Sequence, residues 1–206
     1  MTKRVFTAQL TLLALLALSL AVQAASQDVA SVRRMFESGN YQDVIQNAES
    51  PDAPPEVVYA AGQAHQRLGS ENQAVEMYGR LAALPEDNPW RLIGLSAQHL
   101  ARNEQEPAVA LAQQAVDAAG NLADAHFQLG LVKTKTQDWS GAAEEFDRAS
   151  QLNPSLAYAY YYGGLMHYRA NRPDRMANHF DRFLKLAPTA QERPEVMQIM
   201  KTVRGR

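Results

Sequence analysis

The chain of 206 residues is predicted to fold as an all-α solenoid of stacked helix pairs. Three observations lead there: a spacing of 34 residues that recurs along most of the sequence, small residues held in one register, and near-continuous helical periodicity. Gly62, Ser96, Gly130 and Gly164 stand 34 apart, as do Ala74, Ala108, Ala142 and Met176, while Phe146 and Pro154 answer to Phe180 and Pro188. A fixed period of this length marks a supersecondary unit that cannot bury its apolar face alone and stacks on its neighbours. Small residues recur where antiparallel helices approach closely, since a bulky side chain would force the axes beyond their usual separation. Glycine inside a helix is costly relative to alanine, so its recurrence implies a packing role.

Four units follow from the period, at 55–88, 89–122, 123–156 and 157–190. Helices are expected over Glu56–Leu68 and Asn72–Leu84, Trp90–Arg102 and Pro107–Ala118, Ala123–Thr136 and Ser140–Leu152, and Leu156–Ala170 and Pro173–Leu186. Pro107 and Pro173 suit the first turn of a helix, Asp138-Trp139-Ser140 supplies a capping position, and Asn153-Pro154 stops a helix. A degenerate unit over 25–54 precedes them, with Gly39-Asn40-Tyr41 as its inter-helix turn; the Pro51, Pro54 and Pro55 segment then sets that unit at a different angle. Val196, Ile199, Met200 and Val203 fall at helical spacing, so 191–206 reads as a helix capping the last unit, or as a basic tail folded over the concave face.

Residues 1–24 read as a secretory signal, with Lys3 and Arg4 as the basic start, Leu10 to Val22 as the apolar run and Val22-Gln23-Ala24 as the cleavage site. Cleavage after Ala24 would leave a periplasmic or secreted protein without a membrane span; retention as an anchor is the alternative, although the run is shorter than the ~20 apolar residues of a membrane helix. Losing Lys3 and Arg4 takes the basic count from 20 to 18 against 22 acidic residues, a formal charge near −4. Nucleic acid is therefore a poor partner. The absence of cysteine rules out disulfides and a lipidated N-terminal cysteine.

His126, Leu129, Gly130, Lys133, Ala142, Phe146, Ala149 and Pro154 follow the tetratricopeptide pattern of Leu-Gly, Ala, Phe and Pro at fixed offsets; so do Tyr160, Gly164, Phe180 and Pro188, with Gly163 and Met176 as departures. The chain resembles the tetratricopeptide-repeat family over roughly residues 26–190. That resemblance implies a right-handed superhelix whose first helices line a concave groove, with the second, fifth, ninth and twelfth positions of each facing inward. The implied peptide-groove residues are Tyr59 and Gln63 in the first unit, Trp90 and Ile93 in the second, Phe127 and Leu131 in the third, and Tyr158, Tyr161, Leu165 and Tyr168 in the fourth. Tyrosine and tryptophan are typical binding anchors. The fifth and ninth positions carry no lysine and asparagine pair, so the family's clamp for an acidic chaperone C-terminus is missing. Tyr160 is expected to be the buried aromatic of its unit, with Tyr162 at an inter-repeat edge.

His65, His99 and His167 share the register of the family's tyrosine, and stacked units lie about 10 Å apart, too far for their imidazoles to share a metal. No metal site and no cofactor are expected. Neither a Gly-x-Ser-x-Gly elbow nor a phosphate-cradling loop nor a cysteine nucleophile is present. The leading expectation is a non-enzymatic interaction module or assembly scaffold of the bacterial envelope that binds an apolar or aromatic peptide segment of a protein partner. Homo-oligomeric self-assembly through exposed helix faces is the second reading, and an enzyme with a site across repeats the third.

Overall fold

The computed structural model describes residues 29–204, so the signal segment at 1–24 and its cleavage site lie outside the described residues. Every regular element among the described residues is helical. A first helix, α1, covers 29–37 and is followed by α2 (Tyr41–Asn47), α3 (Pro55–Arg67), α4 (Glu71–Ala82), α5 (Pro89–Ala101) and α6 (Gln105–Ala118). Then come α7 (Ala123–Lys135), α8 (Trp139–Leu152), α9 (Ala157–Arg169), α10 (Pro173–Leu186) and α11 (Arg193–Arg204). Each helix from α2 to α11 packs on the next in sequence, apart from α10, which meets α11 more lightly. The eight helices expected between 55 and 190 are all present, with ends within two residues of the sequence reading.

The inter-helix turns explain why the pairs are so alike. Gly69, Asn103, Gln137 and Asn171 each adopt a left-handed backbone, with φ of 70°, 60°, 63° and 55°, at the 34-residue spacing. In each case the next amide returns to a carbonyl five residues back, as in Ser70 to His65, Glu104 to His99, Asp138 to Lys133 and Arg172 to His167. This closes the end of the first helix, and glycine and asparagine adopt the conformation most readily. Gly39, at φ 77°, makes the same turn between α1 and α2. Two starts are capped by side chains: Asn88 accepts from the Trp90 amide at 3.0 Å and Asp138 from the Gly141 amide at 3.0 Å.

The recurring small residue meets a ring sixteen positions later. A methyl group on Gly62 would collide with Tyr78, on Gly130 with Phe146 at 2.8 Å, and on Gly164 with Phe180. In the second pair the residue at that offset is Ala112, which carries no ring, and the glycine is replaced by Ser96. Ser96 is fully buried, and its hydroxyl donates to the Ala108 carbonyl at 2.8 Å. It also accepts from Gln128 Nε2 at 3.0 Å, and Gln128 Oε1 accepts from the Tyr59 hydroxyl at 2.6 Å. A buried, fully satisfied polar chain thus joins α3, α7, α5 and α6, which is the condition under which such groups can stay inside.

Gly130→Ala is expected to lower stability by about 1–3 kcal/mol through overpacking, despite alanine's better helix propensity. Combined with Phe146→Leu, the loss should be smaller than the sum of the two single losses, as read from urea denaturation; additive losses would mean that the ring does not demand the glycine.

Candidate functional site

The concave side is formed by α3, α5, α7 and α9, but it is not an open trough. α1 lies across it, burying Val32 and Phe36; Phe36 packs edge-on against Tyr158 at 5.2 Å. Arg33 reaches Asp124 at 3.5 Å, and the hydroxyls of Ser38 and Thr189 meet at 3.1 Å, so the two ends of the array touch. From the far end, Glu192, just before α11, accepts from the Tyr158 hydroxyl and Glu195 from that of Tyr161, both at 2.9 Å. Arg67 at the end of α3 completes the closure: it pairs with Glu192 at 2.8 Å, donates to the Tyr162 hydroxyl at 3.2 Å and lies over the Tyr158 ring. The sequence left the C-terminal segment either as a cap or as a cover for the concave face. Val196 and Met200 are buried, Glu192 before α11 holds the Tyr158 hydroxyl, and Glu195 within α11 holds that of Tyr161.

The end segments cover Tyr158 and Tyr161, while Tyr59, Trp90 and Phe127 pack between neighbouring repeat helices. Tyr59, Trp90, Ile93, Phe127, Tyr158 and Tyr161 all have relative exposures of 7% or less. Gln63, Leu131 and Leu165 are half-buried, and Tyr168 is exposed at 42%. Two of the readings within the tyrosine cluster need correction. Tyr160, expected to be the buried ring, is partly exposed beside His179 and Arg182, whereas Tyr161 is buried. Intramolecular segments fill the concave side at Tyr158 and Tyr161, whereas Tyr160 lies at the seam with α8 and α10, its hydroxyl donating to the Ser150 carbonyl at 3.4 Å and Arg182 over its ring. Tyr162 sits between repeats as expected, stacked on Phe146 at 5.5 Å and edge-on to Phe127.

What remains on this side is a cavity of about 630 Å³ roofed by α1. Of the ten groove residues, Tyr59, Gln63, Phe127, Leu131 and Tyr158 line it; Trp90, Ile93, Tyr161, Leu165 and Tyr168 do not. The volume is ordinary for a ligand pocket, and its lining mixes rings and aliphatic side chains with charged and amide groups in similar number. Those polar groups include Arg33, Glu37 and Asp124, two of them from α1. Burial pushes the Glu37 carboxyl up to about 7, against the backbone amide of Ala157 and the nearby Arg33 and Arg34, which favour its charged form. Burial likewise raises Asp124, outweighing its long contact with Arg33. The hydroxyl of Tyr59 is raised well above its ordinary range, chiefly by burial.

The sequence reading missed α1 as a wall of the site, although Val32 and Phe36 stand four apart on one helical face and were a legible signal. It also missed a polar cluster outside the groove. Asp147 on α8, His167 on α9 and His179 on α10 bring one ligand atom each within 4.8 Å of one another. The spacing argument considered equivalent positions in successive units; this cluster instead uses both helices of one unit and the second helix of the unit before. His65 and His99 do not join it. His99 pairs with Glu104 at 2.5 Å, and His126 with Glu145 at 2.8 Å.

With the helices, turns and concave side described, the comparison with solved structures is decisive for the fold. TTC0263, a thermophilic TPR protein of Thermus thermophilus, matches with a TM-score of 0.60 at 18% identity, over 86% of this chain and 97% of that one. This chain has the tetratricopeptide-repeat fold. YrrB, a TPR protein with an unusual peptide-binding site, matches at a TM-score of 0.51 and 17% identity, covering 88% of each chain. The first TPR of Spaghetti (RPAP3), bound to the HSP90 peptide SRMEEVD, matches at 0.55 and 14% identity, over 60% of this chain and all of that one. No protein-family model matches the sequence, and no curated protein does.

The raised Glu37 carboxyl gives the α1 contact a pH dependence. A carboxyl whose folded value exceeds its unfolded one stabilises the fold fully below the unfolded value of 4.5 and loses that contribution as pH rises through about 7. Amide exchange in 29–37 is therefore expected to quicken between pH 5 and pH 8 relative to the core of α7, after correction for the intrinsic rate. Glu37→Gln should flatten that difference; an unchanged pH profile in this variant would assign the effect to another group.

Proposed function

We propose that the protein is a non-enzymatic protein-interaction module that holds a short apolar or aromatic peptide segment in the cavity beneath α1. The observation carrying this reading is the cavity itself, about 630 Å³ with Tyr59, Phe127, Leu131 and Tyr158 among its lining residues. Rings of this kind supply contact area at low entropic cost, while a few polar groups at the rim fix orientation. Two proteins of the same fold, YrrB and the RPAP3 domain, are described as having a peptide-binding site and as bound to a peptide, which supports the class of ligand. Tyr59/Gln63 and Phe127/Leu131 replace a lysine and asparagine pair, so the segment is anchored by apolar side chains and not by a terminal carboxylate.

The cavity offers far less surface than an open groove along all four units, so the bound stretch is a few residues long. Gln63 and Leu131 are the half-buried positions from which a ligand can be reached without disturbing the packed rings. A photoreactive side chain at either position should crosslink to one and the same partner segment in native extract, while one at exposed Glu144 on α8 should not. Equal crosslinking from all three positions, or different segments from Gln63 and Leu131, would refute the cavity as the site.

The setting we propose is the bacterial envelope, reached by export and cleavage after Ala24. The basic start at Lys3 and Arg4, the apolar run to Val22 and the small-residue site support this reading. No helix among the described residues is long and apolar enough to cross a membrane. The protein recovered from native cells should begin at Ala25 when its N-terminus is sequenced; recovery of Met1 on membrane-bound protein would instead support a retained anchor.

A further inference from the structure

Outside the concave side, the junction between the third and fourth helix pairs holds a cluster that neither the repeat pattern nor the peptide reading uses. His167 Nε2 lies 2.9 Å and His179 Nε2 2.8 Å from the same oxygen, Asp147 Oδ1. The two imidazoles are tilted by 57° to each other with ring centroids 5.1 Å apart. We propose that Asp147, His167 and His179 bind a divalent transition cation of the zinc type, which ties α8, α9 and α10 together.

Comparison with the preceding repeat shows how unusual this placement is. The positions equivalent to His167 and His179 one unit earlier are Lys133 and Glu145, an oppositely charged pair at 2.9 Å whose carboxylate also takes His126 at 2.8 Å. In the fourth unit both positions carry imidazole, so the pair has no internal charge complement, and Asp147 from the unit before supplies the carboxylate. Room for the second ring comes from another departure: where the third unit has Leu129, the fourth has Gly163, and a methyl group there would stand 2.6 Å from His179 Nδ1. Two substitutions within one unit thus converge on a single oxygen, and a third, Gly163, makes room for one of them.

The donor set and its geometry fit a cation. Two imidazole nitrogens and one carboxylate oxygen are ordinary ligands for zinc, and three protein ligands leave a fourth position for water. Tetrahedral bonds of about 2 Å set the ligand atoms about 3.3 Å apart, so the observed 2.8 and 2.9 Å must open by a few tenths of an ångström, while the two imidazole nitrogens, within 4.8 Å of each other, settle to the same spacing. His167 is wholly buried, which fixes one ligand, while Asp147 and His179 keep 19% and 13% of their side-chain surface exposed and give a route in. As a hydrogen-bonded cluster alone, the arrangement is poorly satisfied: both Nδ1 atoms are buried without a protein partner. Metal-bound histidines usually donate that second N–H, and a missing outer contact costs about 10–100-fold in affinity. Arg175, which also touches Asp147 Oδ2 at 3.4 Å but is 60% exposed, must swing aside or share the carboxylate. The site is therefore a weaker binder than one whose histidines donate both N–H groups.

The test uses the full-length mature chain, stripped with a chelator and titrated with zinc sulfate by calorimetry, and separately with cobalt(II) by visible absorption. One saturable equivalent is expected, with the intense cobalt bands of four-coordinate nitrogen and oxygen ligation and a higher thermal midpoint for the zinc form. Asp147→Asn and His179→Gln, each checked for native helicity, should weaken zinc by more than about tenfold, since losing a ligand costs no less than losing an outer contact. His99→Gln, at the separate His99–Glu104 pair, should leave binding unchanged. Absence of a saturable equivalent in the wild-type chain overturns the proposal, and so does zinc binding that survives in both ligand variants. Should either variant lose its helicity, the wild-type cobalt spectrum decides alone: weak octahedral bands reject the site.

Discussion

A stack of helix pairs with an apolar concave side has to cover that side, and the shape of this protein follows from how it does so. Regular repeats bury their inter-helix surfaces against neighbours, and Tyr59 and Phe127 pack in that way, yet Tyr158 and Tyr161 on α9 take their partners from the chain's two ends. Here the inward positions of α3, α5, α7 and α9 carry tyrosine, phenylalanine, isoleucine and tryptophan, a surface too apolar to leave in water without a partner. The chain supplies its own cover from both ends. α1 lays Phe36 against Tyr158, and the turn before α11 brings Glu192 to the same ring's hydroxyl. Arg67 stands where these elements meet, its guanidinium paired to Glu192 and lying over the Tyr158 ring. Glu192 is 8% exposed at its side chain and Arg67 29%, so loss of the guanidinium would leave the more buried charge without its partner.

The local structure was legible in the residues because each feature is set within one unit. Helix ends, left-handed turns at Gly69, Asn103 and Asn171, and the glycine that faces a ring sixteen residues later all depend on contacts inside a single pair. Even Ser96, which breaks the glycine register, has a local cause in Ala112, although its link to Gln128 and Tyr59 could not be read from spacing. Curvature was not legible in the same way. It accumulates from small rotations between successive units, and no one residue carries it. An inward position such as Tyr161 could therefore be assigned a direction, while whether that direction led to solvent or to Glu195 depended on where the two ends of the array finished. The histidine cluster escaped for a related reason: Asp147 lies twenty positions before His167, on the second helix of the preceding unit, and a search confined to equivalent positions does not pair them.

Self-coverage has a consequence for any ligand of the concave side. A partner that needed the whole aromatic stripe would have to remove α1 and the segment around Glu192, and its apparent affinity would be reduced by the small fraction of molecules in which both are released. A ligand confined to the cavity between Tyr59, Leu131 and Phe127 bears no such cost, because α1 forms one of its walls. α1 is short and carries a carboxyl, Glu37, that burial keeps from ionising readily, so it is the less costly of the two covers to move. The C-terminal cover is held by Arg67, two tyrosine hydroxyls and the buried Val196 and Met200. Enlargement of the site would accordingly begin at α1: lifting that helix alone opens the cavity toward Asp124 and Tyr158 while the cap on the last pair stays in place.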